Sequence, residues 1–169
     1  PEAKKLLEQS LKIYDKEFSL NHIGAAWALL HLSNICREFG DYDKAISVLR
    51  HSIATYRQYY GNNHPKLSWA MEYLGDVYRS MGRYDDAISC YEESVSIHNR
   101  NAHISNIRSA RVSTLLAICH KNSGNLRKAR ALLETNLQIY KRELSETSVE
   151  TAWAMIQLGD IYNVLGCYS

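Results

Sequence analysis

Gly40, Gly82, Gly124 and Gly166 stand 42 residues apart, and Ala3, Ala45, Ala87 and Ala129 keep the same interval. A chain that returns to itself at a fixed period of this length folds as an array of like units. Each unit is too small to bury its apolar face alone and does so against its neighbours. Leu32, Leu74, Leu116 and Leu158 form a third row, Leu11, Ile53, Val95 and Leu137 a fourth, and Tyr14, Tyr56, His98 and Tyr140 a fifth.

Each row has a physical reading. The glycine, followed by Asp41-Tyr42, Arg83-Tyr84, Asn125-Leu126 or Cys167-Tyr168, marks a helix stop, where a residue without Cβ takes positive φ at no steric cost. Before it, Leu29, Leu32, Ile35, Cys36 and Phe39 recur at three- and four-residue steps, the spacing of one apolar helical face. After it, Ala45, Leu49, Ile53 and Tyr56 repeat that spacing. Each unit is therefore a helical hairpin, with the small alanine admitting close approach of the second helix. A further small row, Ser33, Gly75, Ala117 and Gly159, lies inside the first helix, where glycine costs about 1 kcal/mol relative to alanine. Tight packing is the expected compensation. Only two prolines and no alternating strand-like runs complete an all-α reading.

In this frame one array spans 1–169. A half-repeat at 1–22 carries a second helix at about 3–19, repeats follow at 23–64, 65–106 and 107–148, and a half-repeat at 149–169 carries a first helix at about 149–165. The chain reads as cut from something longer. Each half-repeat is expected to expose an apolar face. Leu158, Ile161 and Leu165 of the last helix could then pair head-to-tail with Leu7 and Leu11 of another copy, or be covered by the rest of a longer array.

The order Leu74-Gly75, Tyr78, Gly82, Tyr84, Ala87 and Tyr91 resembles the tetratricopeptide repeat. The period exceeds the usual length of about 34 residues. With the linker Tyr60-Gly61-Asn62-Asn63-His64-Pro65, it is most similar to the 42-residue repeats of kinesin light chains and their bacterial relatives. The resemblance covers the whole chain. It implies an alpha-alpha superhelix, a solenoid of stacked antiparallel hairpins whose first helices line a concave, peptide-binding groove. Kinesin light chains carry paired asparagines where this chain has Leu30-His31, Glu72-Tyr73, Thr114-Leu115 and Ile156-Gln157. Neither their binding rules nor their partner, the kinesin heavy chain, therefore carries over.

Three rows fall on the face that lines the groove in that family: Trp27, Trp69, Arg111 and Trp153; Arg37, Arg79, Lys121 and Asn163; Asn34, Asp76, Ile118 and Asp160. One reading makes the tryptophans anchors and the basic row a selector of carboxylates, which suits an acidic-aromatic peptide of a partner protein. The other makes each tryptophan a packing residue and the charges intrahelical pairs, such as Asp76 with Arg79. The sequence leaves both open. The third repeat is the least regular, with Ser113, His120 and Arg130 in places that are mostly more apolar in its neighbours.

The remaining features argue against other classes. Twenty basic against eighteen acidic residues give a net charge of +2, short of the concentrated field that nucleic acid requires. Cys36, Cys90, Cys119 and Cys167 lack metal-ligand spacing and read as free thiols. His22 and His64 occupy the same place in successive linkers, as turn and helix-start residues, while His98 and His120 replace tyrosines in packing rows. No catalytic motif or phosphate loop occurs, and Cys119-His120 point apart on a helix. No apolar run could span a membrane, and nothing resembles a secretion signal. The expectation is a cytoplasmic interaction scaffold, neither an enzyme nor a binder of nucleic acid, membrane, cofactor or metal. The alternative is a regulatory or self-associating segment of a larger protein.

Overall fold

A computed structural model describes residues 2–17, 19–101 and 106–166, which form helices and connecting turns with no strand among them. The elements are α1 (Glu2–Glu17), α2 (Ile23–Glu38), α3 (Tyr42–Tyr60), α4 (Pro65–Ser80), α5 (Tyr84–Arg100), α6 (Asn106–Asn122), α7 (Leu126–Glu143) and α8 (Val149–Val164). The fold is all-α, and Cys167 lies outside the described residues.

The glycine row ends the first helices as the spacing implies. Gly40, Gly82 and Gly124 have φ of 75°, 73° and 84°. The Gly40 N–H donates to the Arg37 carbonyl at 3.0 Å and the Asp41 N–H to the Cys36 carbonyl at 2.9 Å. Gly82 with Arg83 and Gly124 with Asn125 repeat this pair of bonds. This is the Schellman closure, which satisfies carbonyls left over at a helix end. Because φ is positive at these sites, any other L-residue there is strained.

The chain divides into two compact units, Pro1–Arg83 and Tyr84–Ser169. In the first unit each helix packs on the next, and α2 also packs on α4. Ala25, Ala26, Cys36, Ala45, Leu49 and Leu67 are fully buried. The Ser52 hydroxyl donates to the Ala26 carbonyl at 2.8 Å and ties α3 to α2. The Tyr14 ring of α1 lies directly over Gly24, where an added Cβ would come within 2.5 Å of the tyrosine oxygen.

The second unit is built the same way, with α6 also packing on α8. Ala117, Ala129, Leu133, Tyr140, Ala154 and Ile161 form its core. Within it the Thr114 hydroxyl bonds the Ala110 carbonyl at 2.9 Å and the Tyr140 hydroxyl at 3.1 Å, and accepts from Asn136 Nδ2 at 3.1 Å. The network gives each buried polar group a partner, the condition for burying it cheaply.

Three expectations need correction. Phe39, assigned to the apolar face of the first helix, is 66% exposed. It is the C-cap of α2, and the chain leaves the helix there. Leu158 and Ile161, assigned to an open face of the last helix, are buried in the core of the second unit, and α8 instead exposes Met155 and Ile156. Gly159, expected to be under tight packing like Ser33 and Ala117, has nothing within 4 Å of an added Cβ. The part of α8 that corresponds to those covered faces is open.

Candidate binding faces on the first helices

In the first unit α2 and α4 lie side by side, and residues one repeat apart meet across them. The Trp27 and Trp69 ring centroids are 6.2 Å apart, His31 and Tyr73 are 6.3 Å apart, and Trp27 meets the edge of His31 at 4.3 Å. Four rings thus form one continuous aromatic patch. Trp27 is 47% exposed, and Trp69, His31 and Tyr73 are half-buried. The two tryptophans therefore pack on each other, as the packing reading expects, while Trp27 also stays open to solvent.

The polar rim is organised within and between the same helices. Arg37 donates to Asn34 Oδ1 at 2.8 Å and to Ser80 Oγ at 3.5 Å, both of them uncharged groups. Arg79 pairs with Asp76 at 3.2 Å on its own helix. Burial raises the Tyr73 hydroxyl above its ordinary pKa, with the carboxylates of Asp76 and Glu72 adding to the rise and Arg37 opposing it. The acidic side chains and Arg37 therefore lie close to the ring patch.

The corresponding face of the second unit differs. Arg111 is exposed where a tryptophan stands elsewhere in the row, Ile118 and Trp153 are half-buried, and Asn163 is exposed. Lys121 reaches from α6 to α8, bonding Gln157 at 2.9 Å and Asp160 at 3.1 Å. The basic row expected to greet a ligand is thus partly engaged, through Asp76 at Arg79 and Asp160 at Lys121.

His31 and Tyr73 were not among the expected groove residues. Their signal was the shared 42-residue offset, with each lying four residues after a tryptophan and so on the same helical face.

The histidines keep the roles their spacing implies. His22 and His64 are N-caps whose Nδ1 atoms accept the N–H of Gly24 at 3.1 Å and of Lys66 at 3.2 Å. His98 and His120 are buried, at 3% and 5% exposure. Beside His120 a cleft of about 320 Å³ is lined by Glu92, Leu116, Lys128 and Leu132. Burial and then Lys128 lower the His120 pKa, against opposing pulls from Glu92 and Asp85. Cys36, Cys90 and Cys119 are buried free thiols, and burial pushes Cys90 up to about 12, where it is inert. Among the described residues no cluster of three or more metal-ligating side chains occurs, and no helix is long and apolar enough to cross a membrane.

Packed helical hairpins with glycine stops between their helices define a helical-repeat protein. The tetratricopeptide repeat family model matches residues 1–58, 40–100 and 108–166, and the chain belongs to that family. Its fold is similar to the putative kinesin light chain TPR-like repeats of Podosopora anserina, with a TM-score of 0.84, 21% identity, and coverage of 98% of this chain and 78% of that one. It is also similar to BtubC (BKLC) of P. vanneervenii, at TM-score 0.78 and 21% identity, covering 97% of this chain and 64% of that one. The type III secretion translocator chaperone SycD of Yersinia enterocolitica superposes at TM-score 0.64 and 20% identity, covering 84% and 95%. No curated protein matches by sequence. Arrays of this class are protein-interaction scaffolds.

Proposed function

We propose that the chain holds an extended segment of a partner protein against the first-helix face of its first unit, with Trp27, His31, Trp69 and Tyr73 as the floor. The observation that carries this reading is the continuous aromatic patch with Trp27 at 47% exposure. Large rigid rings at a partly desolvated surface give the most binding free energy for the least loss of side-chain entropy. Arg37, bonded to the uncharged Asn34 and Ser80, offers a carboxylate a charge-assisted bond at the edge of the patch. Asp76 and Asp160 must be displaced before Arg79 and Lys121 can do the same. The ligand is therefore an apolar or aromatic side chain beside an acidic one, with Asn34 next to Arg37 at the edge of the same face.

Selection from a displayed peptide library tests this, using wild type beside Trp69→Ala with Arg37→Glu. The expected result is enrichment of acidic-aromatic peptides on wild type alone. The same peptides captured equally by both proteins would remove the patch as the site.

A second reading, self-association, is favoured by one observation. On α8 Met155 is 42% and Ile156 61% exposed, whereas Leu29 and Leu30, the matching residues of α2, are 5% and 1% exposed. On α1, Leu7 and Leu11 are more accessible than their counterparts Leu49 and Ile53 on α3. In this reading α1 of one copy covers α8 of another and completes a hairpin between chains. Sedimentation velocity over a wide concentration range, with Ile156→Glu as comparison, decides it. A strict monomer throughout would exclude the contact.

A further inference from the structure

Positions 22, 64 and 148 share one phase of the repeat and cap three first helices, but by two chemistries. Ser148 accepts the Thr151 N–H at 3.1 Å through a hydroxyl that does not titrate near neutral pH. His22 and His64 accept through Nδ1 of an imidazole, which requires the neutral ring with its proton on Nε2. We infer that the His64 cap makes the Trp69 side of the first unit's aromatic face pH-gated: firm when the ring is neutral, loosened when it is protonated.

The chemistry has two parts. A proton on Nδ1 turns the acceptor into a donor aimed at another donor, so the cap bond is lost. The new positive charge also sits at the positive end of the helix dipole. At His64 the neighbouring charge adds to it. His64 stacks on Tyr60 of α3 at 4.1 Å, and Lys66 of α4, bonded to the same tyrosine hydroxyl at 3.2 Å, adds a cation. His22 stacks on Tyr14 of α1 at 5.6 Å. Behind that turn stands His51 of α3, bonded through Nε2 to the Leu20 carbonyl at 3.1 Å. Burial, and then Lys66, lower the His64 pKa, in keeping with a cap that stays neutral at pH 7.

The placement gives the cap leverage. Trp69 is the fifth residue of its helix, just beyond the turn the histidine closes. Loss of a cap raises the opening of that first turn roughly fivefold, and the tryptophan moves with it. This inference rests on the proposed reading of the face only for its effect on a ligand, and its test involves no ligand.

Tryptophan emission and helicity are followed from pH 7.5 to 5 in a Trp153→Phe background, so that Trp27 and Trp69 alone report. His64→Ser supplies the non-titrating cap used at Ser148. The expected result is a red shift and a loss of helicity below about pH 6.5, reduced in the serine variant. Identical responses in both proteins, or none in either, would overturn the inference. Should the variant misfold, the backbone amide resonances of the unmutated chain decide. The Lys66 N–H signal is expected to titrate with its imidazole partner while Thr151 stays still. A stationary Lys66 signal would refute the gate.

Discussion

The indoles of Trp27 and Trp69, one repeat apart in sequence, meet at 6.2 Å with 58° between their planes. A tilted aromatic pair at this distance lies within the favourable range of ring geometries. It follows from the period alone: adjacent first helices in register bring equivalent residues together, so a tryptophan repeated at 42 residues becomes a pair. The pair organises α2 against α4 and presents a surface to solvent at once. His31 and Tyr73 extend it by the same logic.

Gly75 is buried within α4 in the small row that includes Ser33 and Ala117, each at 0% exposure. Gly75→Leu should destabilise the first unit by roughly 1–3 kcal/mol through overpacking, despite the better helix propensity of leucine. Thermal unfolding checks this, and Gly159→Leu is the control. Because nothing stands near Gly159, that variant is expected to be neutral or slightly stabilising.

Thr114 bonds both Tyr140 and Asn136 inside the core of the second unit. Thr114→Val keeps the shape but leaves those two groups without that bond, so a loss of about 1–3 kcal/mol is expected in urea unfolding. Thr114→Ser should recover most of it, since the hydroxyl remains.

His120 should make the second unit acid-sensitive. Its folded pKa is lowered, chiefly by burial, so the folded state prefers the neutral ring and the unfolded state takes up protons first. The stability it contributes is therefore full above the ordinary value of about 6.5 and is lost as pH falls below it. His120→Tyr, which installs the residue found at Tyr78 and Tyr162, should show a smaller drop in Tm between pH 7.5 and 5.5 than wild type does.

Much of this architecture is legible in the sequence because the period states it. Gly40, Gly82 and Gly124 announce where helices stop, and the positive φ values supply the reason. Ala45, Ala87 and Ala129 announce the close contacts and are all fully buried. His22 and His64 declare themselves caps by their place before a helix. What the period does not encode is which side of a helix lacks a neighbour. Leu158 and Ile161 are the more hydrophobic-looking row of α8, yet they face α6 and α7, while Ile156 beside them is open. Periodicity gives the faces but not their occupancy. Phe39 is open for a related reason: the apolar spacing runs one residue past the helix, onto its cap.

The aromatic patch also hid in plain spacing. Positions 31 and 73 lack the asparagines of kinesin light chains, and the rings they carry instead lie one helical turn from the tryptophans.

Indole NMR of the intact chain tests the central claim most directly, because only Trp27, Trp69 and Trp153 give side-chain Nε1–H signals. On titration with a peptide selected by the wild-type protein, the account predicts that the Trp27 and Trp69 signals shift with the binding curve. Movement confined to Trp153, or no indole shift at saturation, would place the ligand elsewhere and contradict it.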